Sequence, residues 1–417
     1  MARLGAGLAL VAALTAGAPA WPRDLAADGA VALRTTLKST LLVSRFPDDA
    51  TLYPDRAGSD ALFRLRLDAI AKPSEAVTAE AAWETRLRAT APADAATLGV
   101  LPADAAPPFR IRALDEPLAT ADGLAWRHEL DRASVAWRAG RSEVTVGRQA
   151  IGWGRGVLFG AVDLFAPFSP LEADRAWRRG VDALRADVRL GERLSVEAAA
   201  ALGADADPDA SVFAARVRGY AGELDGELLL GRRARDAVVG VASSAAVGDA
   251  EAHAEVALFR TPAANPEPLL GDDRLVAKVV LGASYRFALG SGLPVFAEYH
   301  YSGFGAPSPG ALPALLLQPG FADRLLRGDT QLQGRQAVAL LATYELNEEA
   351  TFQLLWLGSP RDGSGVLSPA ATLTLGDRTS VQVTAYAPHG AGPRDGVPRS
   401  DLGGTPIAVM VQVAVYD

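Results

Sequence analysis

The groups that could hold a metal or move a proton are few. The chain has four histidines, His128, His253, His300 and His389, and no cysteine. His253 lies between Glu251 and Glu255 at two-residue spacing, which on a β-strand puts three ligand-capable groups on one face. Glu298 and His300 repeat the pattern further on. Five such groups would close on one ion only if strand register aligned them, and no spacing supplies that alignment. They are read as polar residues of a strand face, and neither a metal nor a cofactor is expected. No G-x-S-x-G elbow, phosphate loop or H-E-x-x-H is present. A serine–histidine phospholipase site has no supporting spacing either. The chain is read as not an enzyme.

The densest concentration of unusual residues is GRQAIGWGRGVLFGAVDLFAPFSP, Gly147 to Pro170. Gly152, Gly154, Gly156 and Gly160 allow sharp turns and close approach. Trp153, Phe159, Phe165 and Phe168 supply apolar area to pin the segment down. A long loop with its own packing residues is more often functional than slack. In and beside it stand Arg148, Gln149, Arg155, Asp163, Asp174, Arg175, Arg178, Arg179, Asp182 and Arg185. Clustered charges of both signs, with Trp153 among them, suit the constriction of a pore. The same residues would also serve to tie a loop to its wall.

Such a loop needs a scaffold, and period-two alternation supplies one from about residue 29 onward. Phe63, Leu65 and Leu67 alternate with Arg64, Arg66 and Asp68, and Ile407, Val409, Val411, Val413 and Val415 with Ala408, Met410, Gln412, Ala414 and Tyr416. Many strands reach about ten residues, the length a tilted strand needs to cross a bilayer. The links between them alternate in length. Short ones fall near 71–75, 138–142, 190–193, 220–223, 245–249, 288–294, 346–350 and 375–379. Long ones fall near 44–60, 89–123, 152–180, 203–210, 231–236, 260–272, 303–334, 358–365 and 388–404. Nine long and eight short links join eighteen strands, with both termini on the short-link side. Even strand number, short periplasmic turns and long external loops mark outer-membrane barrels. The expected fold is an all-β transmembrane antiparallel barrel of about eighteen strands, sixteen being a near miss. A soluble β-sandwich is the competing architecture.

The inward rows carry arginines on neighbouring strands, Arg64 and Arg66, Arg86 and Arg88, Arg216 and Arg218. A ladder of this kind favours anions. Asp68, Glu80, Glu84, Glu223, Asp225, Glu227, Glu251, Glu255 and Glu298 share the same faces, however, and could neutralise it. Trp83, Trp126, Trp137, Tyr299, Tyr301 and Trp356 are candidates for interfacial girdles.

The run Gly147-Arg148-Gln149, Trp153-Gly154-Arg155-Gly156, Leu158-Phe159, Asp163-Leu164-Phe165 and Pro167 resembles the GRQ…WG…G…F…D segment of alginate-export-type porins. Arg178-Arg179-Gly180-Val181-Asp182 resembles the segment that re-enters the next strand in such proteins. The resemblance covers about 40 residues. It implies an eighteen-stranded monomeric barrel passing hydrophilic or anionic molecules; it does not imply alginate. In many diffusion porins the third loop folds into the lumen, and 152–180 is the third long link.

Residues 1–20 read as a cleavable signal peptide: Arg3, the apolar run Leu4–Leu14, then Ala18-Pro19-Ala20 at the cleavage site. Residues 21–417 form one barrel, with no linker to split off a second domain. The net charge of −8 argues against a nucleic-acid partner. The expected partners are the lipid bilayer, small hydrophilic or anionic solutes, possible polysaccharide, and the outer-membrane assembly machinery. For that machinery the C-terminus is unusual, since Asp417 follows the aromatic Tyr416. The expected function is a porin-like channel for passive diffusion with a weak preference for anions. The alternatives are an export conduit for an acidic polysaccharide and a non-conducting surface barrel that binds partners through its loops.

Overall fold

Alternating strands with one apolar and one polar face can close into a barrel that leaves no free edge. The computed structural model describes residues 30–92, 100–101, 107–263, 265 and 269–417. The expected signal peptide lies outside the described residues. The strands are β1 (Val31–Arg45), β2 (Ala57–Ser74), β3 (Val77–Ala91), β4 (Asp115–Ala121), β5 (Leu124–Ala139) and β6 (Ser142–Gln149). They continue as β7 (Val181–Arg189), β8 (Leu194–Ala201), β9 (Val212–Ala221), β10 (Leu224–Arg233), β11 (Asp236–Val247), β12 (Ala250–Arg260) and β13 (Leu275–Phe287). The last are β14 (Leu293–Ser302), β15 (Gln336–Glu345), β16 (Ala350–Gly358), β17 (Gly365–Leu375), β18 (Thr379–His389) and β19 (Ile407–Tyr416).

Each strand pairs antiparallel with its neighbours, and β1 closes on β19 from Thr36↔Tyr416 to Arg45↔Ile407. Eighteen strands make the closed wall. The additional strand is β4. It pairs with the first half of β5 from Asp115↔Glu129 to Ala121↔Leu124, while β6 pairs with the second half from Ala133↔Arg148 to Ala139↔Ser142. The hairpin of β4 and β5 thus fills the wall above the point where β6 leaves it. The alternation is too short there to separate this strand from the surrounding long link 89–123.

Burial is reversed relative to a soluble domain. On β19 Ile407, Val409 and Val411 are exposed, while Met410 and Gln412 are buried. On β3 Glu84, Arg86 and Arg88 are buried. An apolar exterior around a polar interior is the arrangement of a barrel whose outer solvent is lipid. Exposed Trp137, Tyr220, Tyr285 and Phe287 gather near the short-turn end. Trp126, Tyr299, Tyr301 and Trp356 lie toward the long-loop end. Trp83 belongs to neither rim; it sits at mid-strand, opposite Leu67 and Leu130.

All eight short links fall where the alternation places them. One long link does not: only Ala234 and Arg235 separate β10 from β11. The charges of Arg232, Arg233, Arg235 and Asp236 read as a loop, but Arg233 and Asp236 are opposite partners in the ladder. Both side chains are buried, Arg233 against Asp329 and Asp236 against Arg324 at 2.7 Å. Those partners come from the link 303–335, which carries two short helices, Leu312–Leu316 and Pro319–Leu326.

Candidate functional site

Residues 150–180 leave the wall at Gln149 and return at Val181, its partner across the ladder. Side chains at this junction grip the backbone. Arg148 reaches Asp182 through Nε at 2.6 Å and donates from Nη1 to the carbonyls of Ala113 at 2.9 Å and Leu130 at 2.8 Å. Gln149 Nε2 donates to the carbonyls of Thr145 at 3.2 Å and Ala183 at 3.1 Å.

The loop then folds inward and wraps two wall glutamates, one on β12 and one on β14. Glu255 Oε1 accepts from the main-chain N–H of Arg155 and, at 2.8 Å, of Gly156. Glu298 takes the next three N–H groups: Val157 at 2.6 Å, Leu158 at 2.9 Å and Phe159 at 3.2 Å. Gly160 donates to Gln331 Oε1 at 2.8 Å. Ala161 and Val162 return to Glu255 Oε2 at 2.6 and 3.2 Å. Every amide from Arg155 to Val162 therefore ends on a side chain of the wall or of the link 303–335. Successive amides converging on a carboxylate form an anion nest, and such charge-assisted bonds are the strong ones. His253 Nε2 lies 2.8 Å from Glu298 Oε1 and shares that carboxylate.

The glycines make the wrap possible. A Cβ on Gly154, at φ 106°, would stand 2.5 Å from Glu255 Oε1. One on Gly156 would run into the carbonyl oxygen of Phe159. The aromatics pin the other side. Trp153 and Phe165 meet edge to face at 4.9 Å, Phe159 stacks on His300 at 4.7 Å, and Trp153 Nε1 donates to Glu197 at 2.9 Å.

Further along, the loop faces β2, β3 and β5 across a gap of about 20 Å³, room for about one water. Asp174 bonds Lys38 at 2.7 Å and Arg64 at 2.9 Å, and Arg64 also holds Glu84 at 2.8 Å. Trp177 lies under Lys38, 4.0 Å from the ring centre, with Arg64 and Arg66 at 5.2 and 5.0 Å. Burial pushes the Asp174 carboxyl up, but Lys38 and Arg64 outweigh it and hold the group below its usual value. Burial leaves Glu172 above its usual value. Arg66 pairs with Asp131 at 2.8 Å, Arg86 with Glu129 at 2.7 Å, Arg179 with Glu129 at 3.2 Å, and Arg88 Nε with Asp60 at 3.0 Å.

Toward the short turns two cavities of about 260 Å³ each adjoin through Asp187, Arg189 and Arg218. Arg138, Arg141, Arg155, Arg185, Arg189, Arg193 and Arg218 line them, with Glu143, Asp187, Glu192 and Asp225. Arg155 pairs with Asp225 at 2.6 Å, Arg185 with Glu197 at 2.8 Å and Arg218 with Asp187 at 3.3 Å. Arg216 is buried between Glu197 at 2.7 Å and Glu227 at 3.0 Å. A third cavity, about 400 Å³, lies among the long loops.

The residues singled out in the sequence thus fall into two groups. Arg148, Gln149, Trp153, Asp163, Asp174 and Asp182 fasten the loop; Asp163 does so through Arg178. Arg175 likewise ends on the carbonyls of Val157, Ser169 and Pro170. Arg155 and Arg185 face the cavities at the short-turn end, and Arg179 the narrow gap. Glu255 and Glu298, weighed in the sequence as lumen residues or metal ligands, accept loop amides instead. Lys38, Trp177, Glu129, Asp131 and Gln331 carried no sequence signal beyond inward parity or loop membership.

No protein-family model matches the chain, and no curated protein matches it in sequence. The resemblance to alginate-export-type porins therefore rests on its motif alone. Among solved structures the chain is similar to Acinetobacter baumannii OccAB1, with TM-score 0.56, 9% identity and coverage of 95% of this chain and 98% of that one. It is similar to Pseudomonas aeruginosa OccK11 (OpdR), with TM-score 0.55, 10% identity and coverage of 93% and 95%. It is also similar to Pseudomonas aeruginosa OccK2 (OpdF) in complex with glucuronate, with TM-score 0.52, 10% identity and coverage of 93% and 97%. At these identities the likeness establishes a shared fold, an eighteen-stranded barrel.

Proposed function

We propose that this protein is an outer-membrane channel through which small hydrophilic solutes, anions preferred, diffuse passively. Export would use the signal peptide read in residues 1–20, and the assembly machinery would insert the barrel. The lipid-facing aliphatic rows would seat the wall, and the loop 150–180 would narrow the lumen. The observation that carries the reading is the pair of arginine-rich cavities at the short-turn end, where seven arginines meet four carboxylates. A low-dielectric wall focuses such a field and raises the local concentration of counter-ions. Replacing part of a solute's hydration with fixed charges is how lumens select.

Arg155, Arg185 and Arg218 are the residues assigned to anion preference, since each lines these cavities. Arg179 is assigned to the narrow gap, between Glu129 and the loop. The remaining wall arginines are assigned to neutralising their carboxylate neighbours. The test is liposome swelling with solutes matched in size: glucuronate, glucose and glucosamine. Glucuronate is expected to enter fastest and glucosamine slowest. Equal rates would remove the anion preference. No swelling with any of them would favour a non-conducting surface barrel, and passage of oligomeric uronates alone would favour an export conduit.

A further inference from the structure

The cavity among the long loops differs in chemistry from everything beneath it. Leu52, Leu171, Leu312, Leu332 and Leu402 reach it from four separate links of the chain. Asp401 is the one charged residue in its lining among the described residues, and Ser359 at 2.7 Å and Arg361 already engage it. Three more of its polar side chains hold the loops together. The Tyr53 hydroxyl donates to the Gly404 carbonyl at 2.9 Å, and Ser400 Oγ to the Ala391 carbonyl at 2.7 Å. Gln331 accepts from Gly160 N and donates to the Phe168 carbonyl at 2.9 Å. A ligand therefore meets a patch of leucine side chains, with Ser169, Gln333 and Thr405 as further polar residues beside it.

Its volume, about 400 Å³, falls in the range of sites that enclose small molecules. Its position adds a direction. Ser169 and Leu171 of the inward loop line the cavity, and Glu172 and Asp174 of the same stretch line the charged gap. The apolar space therefore adjoins the charged one along a single short segment of chain.

We propose that this vestibule is a binding site for the apolar ring or branched aliphatic group of a small amphipathic solute. The solute's polar end is left directed at the charged lumen. The passage step rests on the channel reading given above; the binding step does not. A purely hydrophilic solute gains nothing from the leucine part of this wall. A solute with a compact apolar group gains in proportion to the area it removes from water. The mouth would then select for solutes of mixed character ahead of the charge selection below.

The experiment measures binding, independent of conduction. The refolded barrel is placed in lipid nanodiscs, and phenylacetate and acetate, equal in charge, are titrated with saturation-transfer NMR. Empty nanodiscs serve as the control for partition into lipid. Phenylacetate is expected to bind saturably and at least about tenfold more tightly than acetate. Thr405→Trp, which fills the cavity from its lining, is expected to abolish the difference, and Leu312→Asn to reduce it. Equal titration of the two acids would overturn the proposal, as would phenylacetate binding unchanged in Thr405→Trp. Tighter binding of an octyl chain that displaces phenylacetate would make the cavity an acyl-chain site and overturn it too. A barrel that binds phenylacetate but does not conduct would sink the channel reading and leave the site standing. A conducting barrel indifferent to phenylacetate would do the reverse.

Discussion

Gly154 and Glu255 are in contact in a way that admits no side chain at residue 154: an added Cβ would lie 2.5 Å from Oε1. That oxygen accepts the amides of the next two residues, and its partner Oε2 those of Ala161 and Val162. The glycine-rich motif is therefore half of a lock whose other half is a carboxylate 101 residues away in sequence, on β12. Gly154→Ala should displace the loop from the wall, because the φ of 106° and the contact both oppose a methyl group. Single-channel recordings should show a larger and noisier conductance than wild type. Unchanged conductance would mean that the loop does not set the narrow point.

Glu255→Gln should act on the same lock more gently. It removes the charge from four hydrogen bonds and adds an amide donor where only acceptors fit. A loss of about 2–3 kcal/mol is expected. The heat needed to convert the folded to the unfolded gel mobility should fall accordingly.

Arg148 and Arg155 should separate cleanly. Arg148 is buried against Asp182 and main-chain carbonyls, so Arg148→Gln should lower stability by about 3 kcal/mol and leave ion selectivity alone. Arg155 lines a cavity and meets a half-exposed Asp225, so Arg155→Gln should cost under about 1 kcal/mol and shift the reversal potential toward cations. Reversal potentials and melting curves on both variants check the assignment.

Acidification should act on the loop in two opposed steps. Asp174 is held below its usual value by Lys38 and Arg64 despite burial, so its contribution is full above the ordinary carboxyl range. That contribution is lost only as pH falls through the lower, folded value. Glu172 is raised by burial, so its cost is present at neutral pH and is relieved as pH falls through its raised value. The loop should tighten slightly on mild acidification and release below the usual Asp range. Trp177, stacked under Lys38, reports this. Its emission, isolated by subtracting Trp177→Phe, should stay constant or sharpen to about pH 4 and change only below it.

Asp329 should secure the link 303–335. It is buried among Arg233, Arg324 and Arg327, at 3.3 Å from Arg324 and 2.7 Å from Arg327. Burial pushes its carboxyl up, and the three arginines overcome this and hold it below its usual value. Asp329→Asn would leave Arg233 buried without its charge partner, at a cost of about 3–5 kcal/mol. Protease added outside whole cells should cut within 303–335 in the variant and spare the wild type.

The wall was legible in the sequence because its signal is local. Alternation such as Leu275, Ala277, Val279 and Leu281 against Val276, Lys278 and Val280 needs no partner to be read, and each short link ends a run of it. The exceptions had local causes. Arg232–Asp236 looked like a loop because inward charges normally face water, and here they face Asp329 and Arg324. β4 was hidden because Glu116 and Pro117 interrupt a short alternation. The site was legible only in part. Glycine and aromatic density marked the inward loop, but what it grips depends on register between strands far apart in sequence. Nothing near Glu255 or Glu298 distinguishes them from Glu251, whose side chain is exposed. The fastening roles of Arg148 and Gln149 likewise follow from carbonyls that only the closed wall brings into reach.

A channel of this kind has a narrow lumen that prefers anions. It is tested most directly by planar-bilayer recording of the refolded chain across a salt gradient. Stepwise openings are expected, with a reversal potential of the sign set by anion permeation and a shift toward cations in the triple variant Arg155→Gln, Arg185→Gln, Arg218→Gln. A folded barrel that never opens, or one whose reversal potential is cationic and indifferent to those three arginines, would contradict it.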